Sequence, residues 1–259
     1  MWALDETALD VVQRTWYDHP FVSQIGVVDA MFPDGIQSRS VVEVYGDAQS
    51  PKSLLLQHVC AAYLVHDKRT QVHYFDHECM VDANEMRQLV QACMSSNGHD
   101  GNDDDVDGTM ERLFVYHAET SDDWSAKLHT VHTKLLAQSG VLPVIAVDCI
   151  GSFHAIDKMI QHRLQDTSYR KPVNVYGQLK DLVRQHSATI FAAKNCDAVG
   201  TGSKHVESMP SEWTSQVTKR LHVRLVRGSS FPSYEIKTDS HTRAFRATDH
   251  GRLDDISTV

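Results

Sequence analysis

The chain has 259 residues and a formal net charge of −9, with 41% apolar residues, enough for one α/β domain with a sizeable core. The acidic balance argues against a protein that coats nucleic acid by bulk charge, although it leaves room for a local basic groove. The five cysteines form no C-x-x-C pair and the 16 histidines lack the paired spacing of a zinc site. No run is apolar enough to span a bilayer, and the acidic N-terminus has no signal-like stretch, so a soluble intracellular chain without a membrane role is expected.

Residues Met1 to Tyr17 read as a short amphipathic helix, with Leu4, Ala8, Leu9, Val11 and Val12 on one face. With the Pro20–Gly35 loop it makes an N-terminal helix and linker over 1–35, ahead of a core over 36–250 and a frayed tail over 251–259. Val41 to Tyr45 is a buried strand. It turns at Gly46, reaches Lys52 and Ser53, and continues as a helix through Leu55, Leu56, Val59, Cys60, Tyr63 and Leu64. Strand, glycine turn, Lys-Ser, helix is the order of a phosphate-binding loop, in which backbone N–H groups and a lysine hold phosphates and a hydroxyl holds Mg²⁺. Pro51 stands where the second glycine belongs. It has no N–H and a fixed φ, which weakens the cradle, while a proline suits an ordinary helix start equally well.

A second strand, Gln71 to Phe75, ends at Asp76-His77-Glu78, and a helix follows over about 82–94. The acidic, glycine-containing stretch 95–108 reads as a flexible surface loop. A calcium-loop reading is poorer because Phe114 stands where a bidentate glutamate is needed. Then come a strand at Leu113 to His117, a helix over 124–138 and an apolar strand, Val141 to Val147, closed by Asp148, where a Mg²⁺-linked carboxylate would sit. The stretch 156–172 is polar and partly basic. A helix over 173–185 and a strand at Ala188 to Ala193 follow. The C-terminal part alternates as antiparallel strands from Val217 to Phe245. The order predicts a mostly parallel central sheet flanked by helices, with ligand at the carboxyl ends of the strands near Gly46, Glu78 and Asp148.

Four segments together carry a resemblance: VVEVYGDAQSPKS, HYFDHE, PVIAVDCIGSFHAID and WTSQVTKRLHVRLVRG. They resemble, in order, the phosphate loop, the second strand end, the Walker B strand and the C-terminal Trp and basic strand of the RecA-like eukaryotic recombinase family, among its paralogues in recombinational DNA repair. The likeness runs from about Ile25 to Asp255. It implies a RecA-like P-loop ATPase core. Gly46, Lys52, Ser53, Asp148 and Asn195 would then bind nucleotide, Ser53 and Asp148 would hold Mg²⁺, and Glu78 would position the attacking water. Asn195 stands where an active recombinase has a γ-phosphate-sensing glutamine, so two departures, Pro51 and Asn195, point to weak binding of ATP and Mg²⁺ and at most weak DNA-dependent hydrolysis.

The resemblance further implies a nuclear subunit of a heteromeric complex with other recombinase paralogues, chiefly the D paralogue of the recombinase. Such a complex supports homologous recombination and filament assembly and meets single-stranded or branched DNA. Direct DNA contact would fall to Arg163, Arg170, Lys171, Arg220, Arg224 and Arg227. Two other readings stay open: an active DNA-dependent ATPase of the same family, and a small-molecule phosphotransferase on a P-loop fold.

Overall fold

The computed structural model describes residues 20–98, 102–164, 173–196, 209–226, 231–248 and 253–256, with the backbone alone for 161–164. The chain forms β1 (Val41–Gly46), β2 (Thr70–Asp76), β3 (Leu113–Tyr116), β4 (Leu142–Asp148), β5 (Thr189–Asn195), β6 (Lys219–Val226), β7 (Ser233–Lys237), β8 (Thr242–Ala247) and β9 (Leu253–Asp255). They make one nine-stranded sheet in the order β3-β2-β4-β5-β1-β6-β7-β8-β9. Pairing is parallel from β3 to β6 and antiparallel from β6 to β9. The expected α/β architecture with a mostly parallel sheet and C-terminal antiparallel strands is present.

The helices are α1 (Gly26–Asp29), α2 (Lys52–His66), α3 (Ala83–Ser96), α4 (Asp103–Met110), α5 (Ser121–Leu136), α6 (His154–Leu164), α7 (Val175–His186) and α8 (Ser211–Thr214). Because successive strand residues point to opposite faces, each parallel strand supplies two cores. Val42, Val44, Tyr74, Val144, Ala146 and Phe191 pack with α2 and α3 on one face. Val41, Phe75, Ile145, Val147, Ile190 and Ala192 pack with α5, α7 and Trp213 of α8 on the other. Burial on both faces explains why these strands read as continuous apolar runs rather than alternating ones.

Three sequence expectations are corrected. Over 103–108 the stretch expected to be a flexible acidic loop is helical. Asn102 caps α4 by accepting from Asp105 N–H at 2.8 Å, and three aspartates in the first turn suit the positive end of the helix dipole. Asp103 and Asp107 are both paired with Arg87, at 2.9 and 3.1 Å, which ties α4 to α3 instead of shaping a calcium loop. The tail expected to fray from 251 contributes β9, paired with β8. The 1–35 linker is also part of the core from residue 21 onward, since Phe21, Val27, Val28 and Met31 are buried and Phe21 stacks on Tyr63 at 3.5 Å. The expected N-terminal helix lies outside the described residues. Among the described residues no helix is long and apolar enough to cross a membrane.

Candidate nucleotide site

The carboxyl ends of β1, β2, β4 and β5 lie side by side and bring together Gly46, Glu78, Asp148 and Asn195. Gly46 is required by its neighbour strand. A Cβ at this position would lie 2.0 Å from the carbonyl oxygen of Val223 in β6 and 2.7 Å from Ser50 Oγ. After Gly46 the loop bonds to itself. The Asp47 carbonyl accepts from Ser50 N–H at 3.2 Å, Ser50 Oγ at 2.7 Å and the Lys52 ammonium at 2.5 Å. Lys52 Nζ also donates to Ser50 Oγ at 3.2 Å. Pro51, with φ −80° and ψ 50°, closes a tight turn in which Lys52 N–H donates to the Ser50 carbonyl at 2.8 Å. The amides of Ser50 and Lys52 are therefore engaged within the loop, and Pro51 has none to offer. Lys52 is buried, and burial lowers its pKa from the usual lysine value against the opposing pull of Cys149, Asp47, Glu78 and Asp148.

The acidic side is more completely built. Asp148, 1% exposed at the end of β4, accepts a hydrogen bond from Tyr74 Oη at 3.2 Å, and the Ser53 hydroxyl lies on the same carboxylate and favours its charged form. Its pKa is raised by burial first, and Glu78 adds to this, while the two hydroxyls work in the opposite direction. Asp76 is fully buried and holds the following turn, accepting Met80 N–H at 3.0 Å and Val81 N–H at 2.9 Å. This frees Glu78 to reach outward, where it accepts from Asn195 Nδ2 at 2.9 Å. Between them His77 joins β2 to β4: its N–H donates to the Asp148 carbonyl at 2.6 Å and its Nδ1 lies 3.2 Å from the Cys149 carbonyl. The loop after β5 is tied back by Cys196 N–H donating to the Gly46 carbonyl at 2.8 Å.

The six residues expected at a nucleotide site thus share one locus. Ser53 and Asp148 would be the two oxygen ligands offered to a magnesium ion, and Lys52 would supply one cation to a phosphate. The phosphate cradle fits less well, because Ser50 and Lys52 N–H are bonded within the loop and Pro51 has none. Lys52 also faces three carboxylates, Asp47, Glu78 and Asp148, so a phosphate chain would need its metal to offset their repulsion. Among the described residues no group of three or more side chains forms a ready metal cage.

Of the arginines and lysine expected to contact DNA, Arg220 and Arg224 are described, and both are paired within the chain. Arg220 Nε donates to Glu43 at 3.1 Å, and Arg224 pairs with Glu235 through two bonds of 3.1 Å. Glu43 is completely buried beside Arg220, Lys194 and Trp213, whose indole N–H donates to it at 2.6 Å. The side chain of Arg163, and Arg170, Lys171 and Arg227, lie outside the described residues. Sequence reasoning missed Tyr74, His77 and Ser50. Tyr74 carried a signal, since a strand's two-residue period puts it on the same face as Asp76. The roles of His77 and Ser50 depend on backbone carbonyls that no residue pattern marks.

Compared with known proteins, the chain matches no family model, and no curated protein matches it.

Proposed function

We propose that this chain is a RecA-like subunit of a recombinational DNA repair complex, with a degraded nucleotide site, that acts by assembly with recombinase paralogues rather than by rapid ATP hydrolysis. The observation that carries this reading is the asymmetry of one locus. The Tyr74–Asp148 and Glu78–Asn195 bonds keep the metal and water-positioning side together, while the loop that should hold phosphate bonds to itself. The strand order supports it as well: β5 lies between the β1 that feeds the loop and the β4 that ends in Asp148. The partners are other recombinase paralogues, chiefly the D paralogue of the recombinase, in the nucleus, with single-stranded or branched DNA met through the complex.

Affinity purification from the native cells with wild-type and Lys52→Ala baits tests the reading. Recovery of recombinase paralogues with both baits is the expected result. Recovery with wild type alone makes nucleotide binding part of assembly, and recovery of no recombination protein overturns the proposal.

A second reading, an active DNA-dependent ATPase, is favoured by the intact carboxylate side. It requires phosphate release stimulated by single-stranded DNA and abolished in Glu78→Gln.

A further inference from the structure

The histidines look scattered in the sequence, yet the fold brings two of them together away from the nucleotide site. His132 of α5 and His186 of α7 meet with Nδ1 and Nε2 at 3.0 Å, their ring centroids 4.9 Å apart and their planes at 70°. Both rings are half-buried on well-anchored helices. Val131 and Leu135 flank His132 in the core, and Leu182 lies one turn before His186. Immediately after His186, Ser187 takes a left-handed conformation at the end of α7, and its hydroxyl accepts from two nitrogens of the Arg39 guanidinium at 3.2 and 3.0 Å. His129, one turn before His132 on α5, is exposed, and its ring lies 6.5 Å from that of His132.

We propose that His132 and His186 are the anchoring ligands of a site for a borderline divalent metal ion, of the zinc, cobalt or nickel type, that clips α5 to α7. Zinc–imidazole bonds of about 2.0–2.1 Å in tetrahedral geometry separate two ligating nitrogens by roughly 3.3 Å. The observed pair needs to open by only about 0.3 Å and swing each ring toward a common point. The nitrogen that now donates gives up its proton by a shift to the other nitrogen of the same ring, so two neutral imidazoles bind without net proton transfer. Burial, and His132 itself, lower the His186 pKa, which keeps it in the ligating form near neutral pH. His129 supplies a third ligand by a change of rotamer, and water completes the shell. The three side chains are not gathered as a cage in advance, so the ion organises the site as it binds.

The test uses the full chain stripped with chelator, and zinc as the probe in competition with a metal-binding dye. The expected result is one saturable site whose affinity falls ~10-fold or more in His132→Gln and in His186→Gln, and less in His129→Gln. His241→Gln, in the turn between β7 and β8, serves as the control and leaves the affinity unchanged. Equal affinity in wild type, His132→Gln and His186→Gln overturns the proposal, as does the absence of saturable binding. X-ray absorption at the zinc edge of the unmodified one-to-one complex gives an answer even where a variant fails to fold. Imidazole scattering from two or three rings supports the site, whereas sulfur in the first shell, or oxygen alone, overturns it.

Discussion

The two sides of the candidate site differ in what holds them. On the carboxylate side, each group is placed by another element: Asp148 by Tyr74, Glu78 by Asn195, and the ends of β2 and β4 by His77. On the phosphate side, the loop is placed by its own atoms, with one carbonyl, that of Asp47, taking three hydrogen bonds. Contacts spread over several strands persist because the fold requires them. A loop satisfied by itself can lose its ligand-facing amides without cost to the sheet. Gly46 marks the border between the two regimes, being kept from a side chain by the Val223 carbonyl rather than by a phosphate.

The largest expected effect separates those regimes at that border. Gly46→Val should cost about 3 kcal/mol or more, because the added carbons meet backbone that can move only by opening the β1–β6 pairing. Denaturant unfolding measures the loss, and stability like that of wild type would return Gly46 to a purely ligand-facing role.

The next effect concerns the strand beneath the carboxylate side. His73 in β2 is fully buried, and burial, with Lys134 adding, lowers its pKa from 6.5 to about 4. Its unfolded form takes up a proton first as pH falls. Stability from the neutral ring is therefore complete above about pH 6.5 and is lost as pH drops toward 4, by up to roughly 3 kcal/mol. His73→Phe, stacked on Phe114 and Tyr116 in its place, should flatten most of that slope in unfolding curves taken across this range. A smaller slope should remain from His77 and His186, which burial also lowers.

Restoring the loop should have an intermediate effect. Pro51→Gly returns an N–H and loosens the turn that engages Lys52 N–H, so affinity for a fluorescent ATP analogue with Mg²⁺ should rise about tenfold, the worth of roughly one hydrogen bond. No gain would mean that the acidic surroundings of Lys52, not the loop, limit binding. The smallest effect belongs to Asn195→Gln. It lengthens a side chain on the already complete side, and the same titration should change by about threefold at most, roughly 0.6 kcal/mol.

Much of this was legible in the residues. Strands buried on both faces announce themselves as apolar runs, and the loop, Glu78 and Asp148 were placed at strand ends by counting from those runs. The elements that were not legible depend on partners distant in sequence. α4 is built from aspartates with poor intrinsic helix propensity and holds because Val106 is buried in the core, with Arg87, on another helix, pairing with two of the aspartates. β9 has three residues and exists only as an edge added to β8. Arg220 and Arg224 look like a free basic stripe because Glu43 is 177 residues from Arg220 and because Glu235 meets Arg224 only through the β6–β7 register. Glu43 in particular sits inside an apolar run, where a single acid gives no hint that an indole and a guanidinium converge on it. His132 and His186 are 54 residues apart and could be paired only by the packing of α5 on α7.

The position of β1 in the sheet has a bearing on how the protein is made. β1 emerges early from the ribosome, but both of its neighbours come late: β5 begins at Thr189, and the contact between Val41 and Thr218 at the start of β6 spans 177 residues. At roughly 5–20 residues per second, that interval lasts on the order of 10–35 s. Until β5 is made, VVEVY is a nascent apolar segment with both hydrogen-bonding edges open, and its β6 edge stays open for the rest of the interval, which makes it the natural first client segment for a ribosome-associated chaperone.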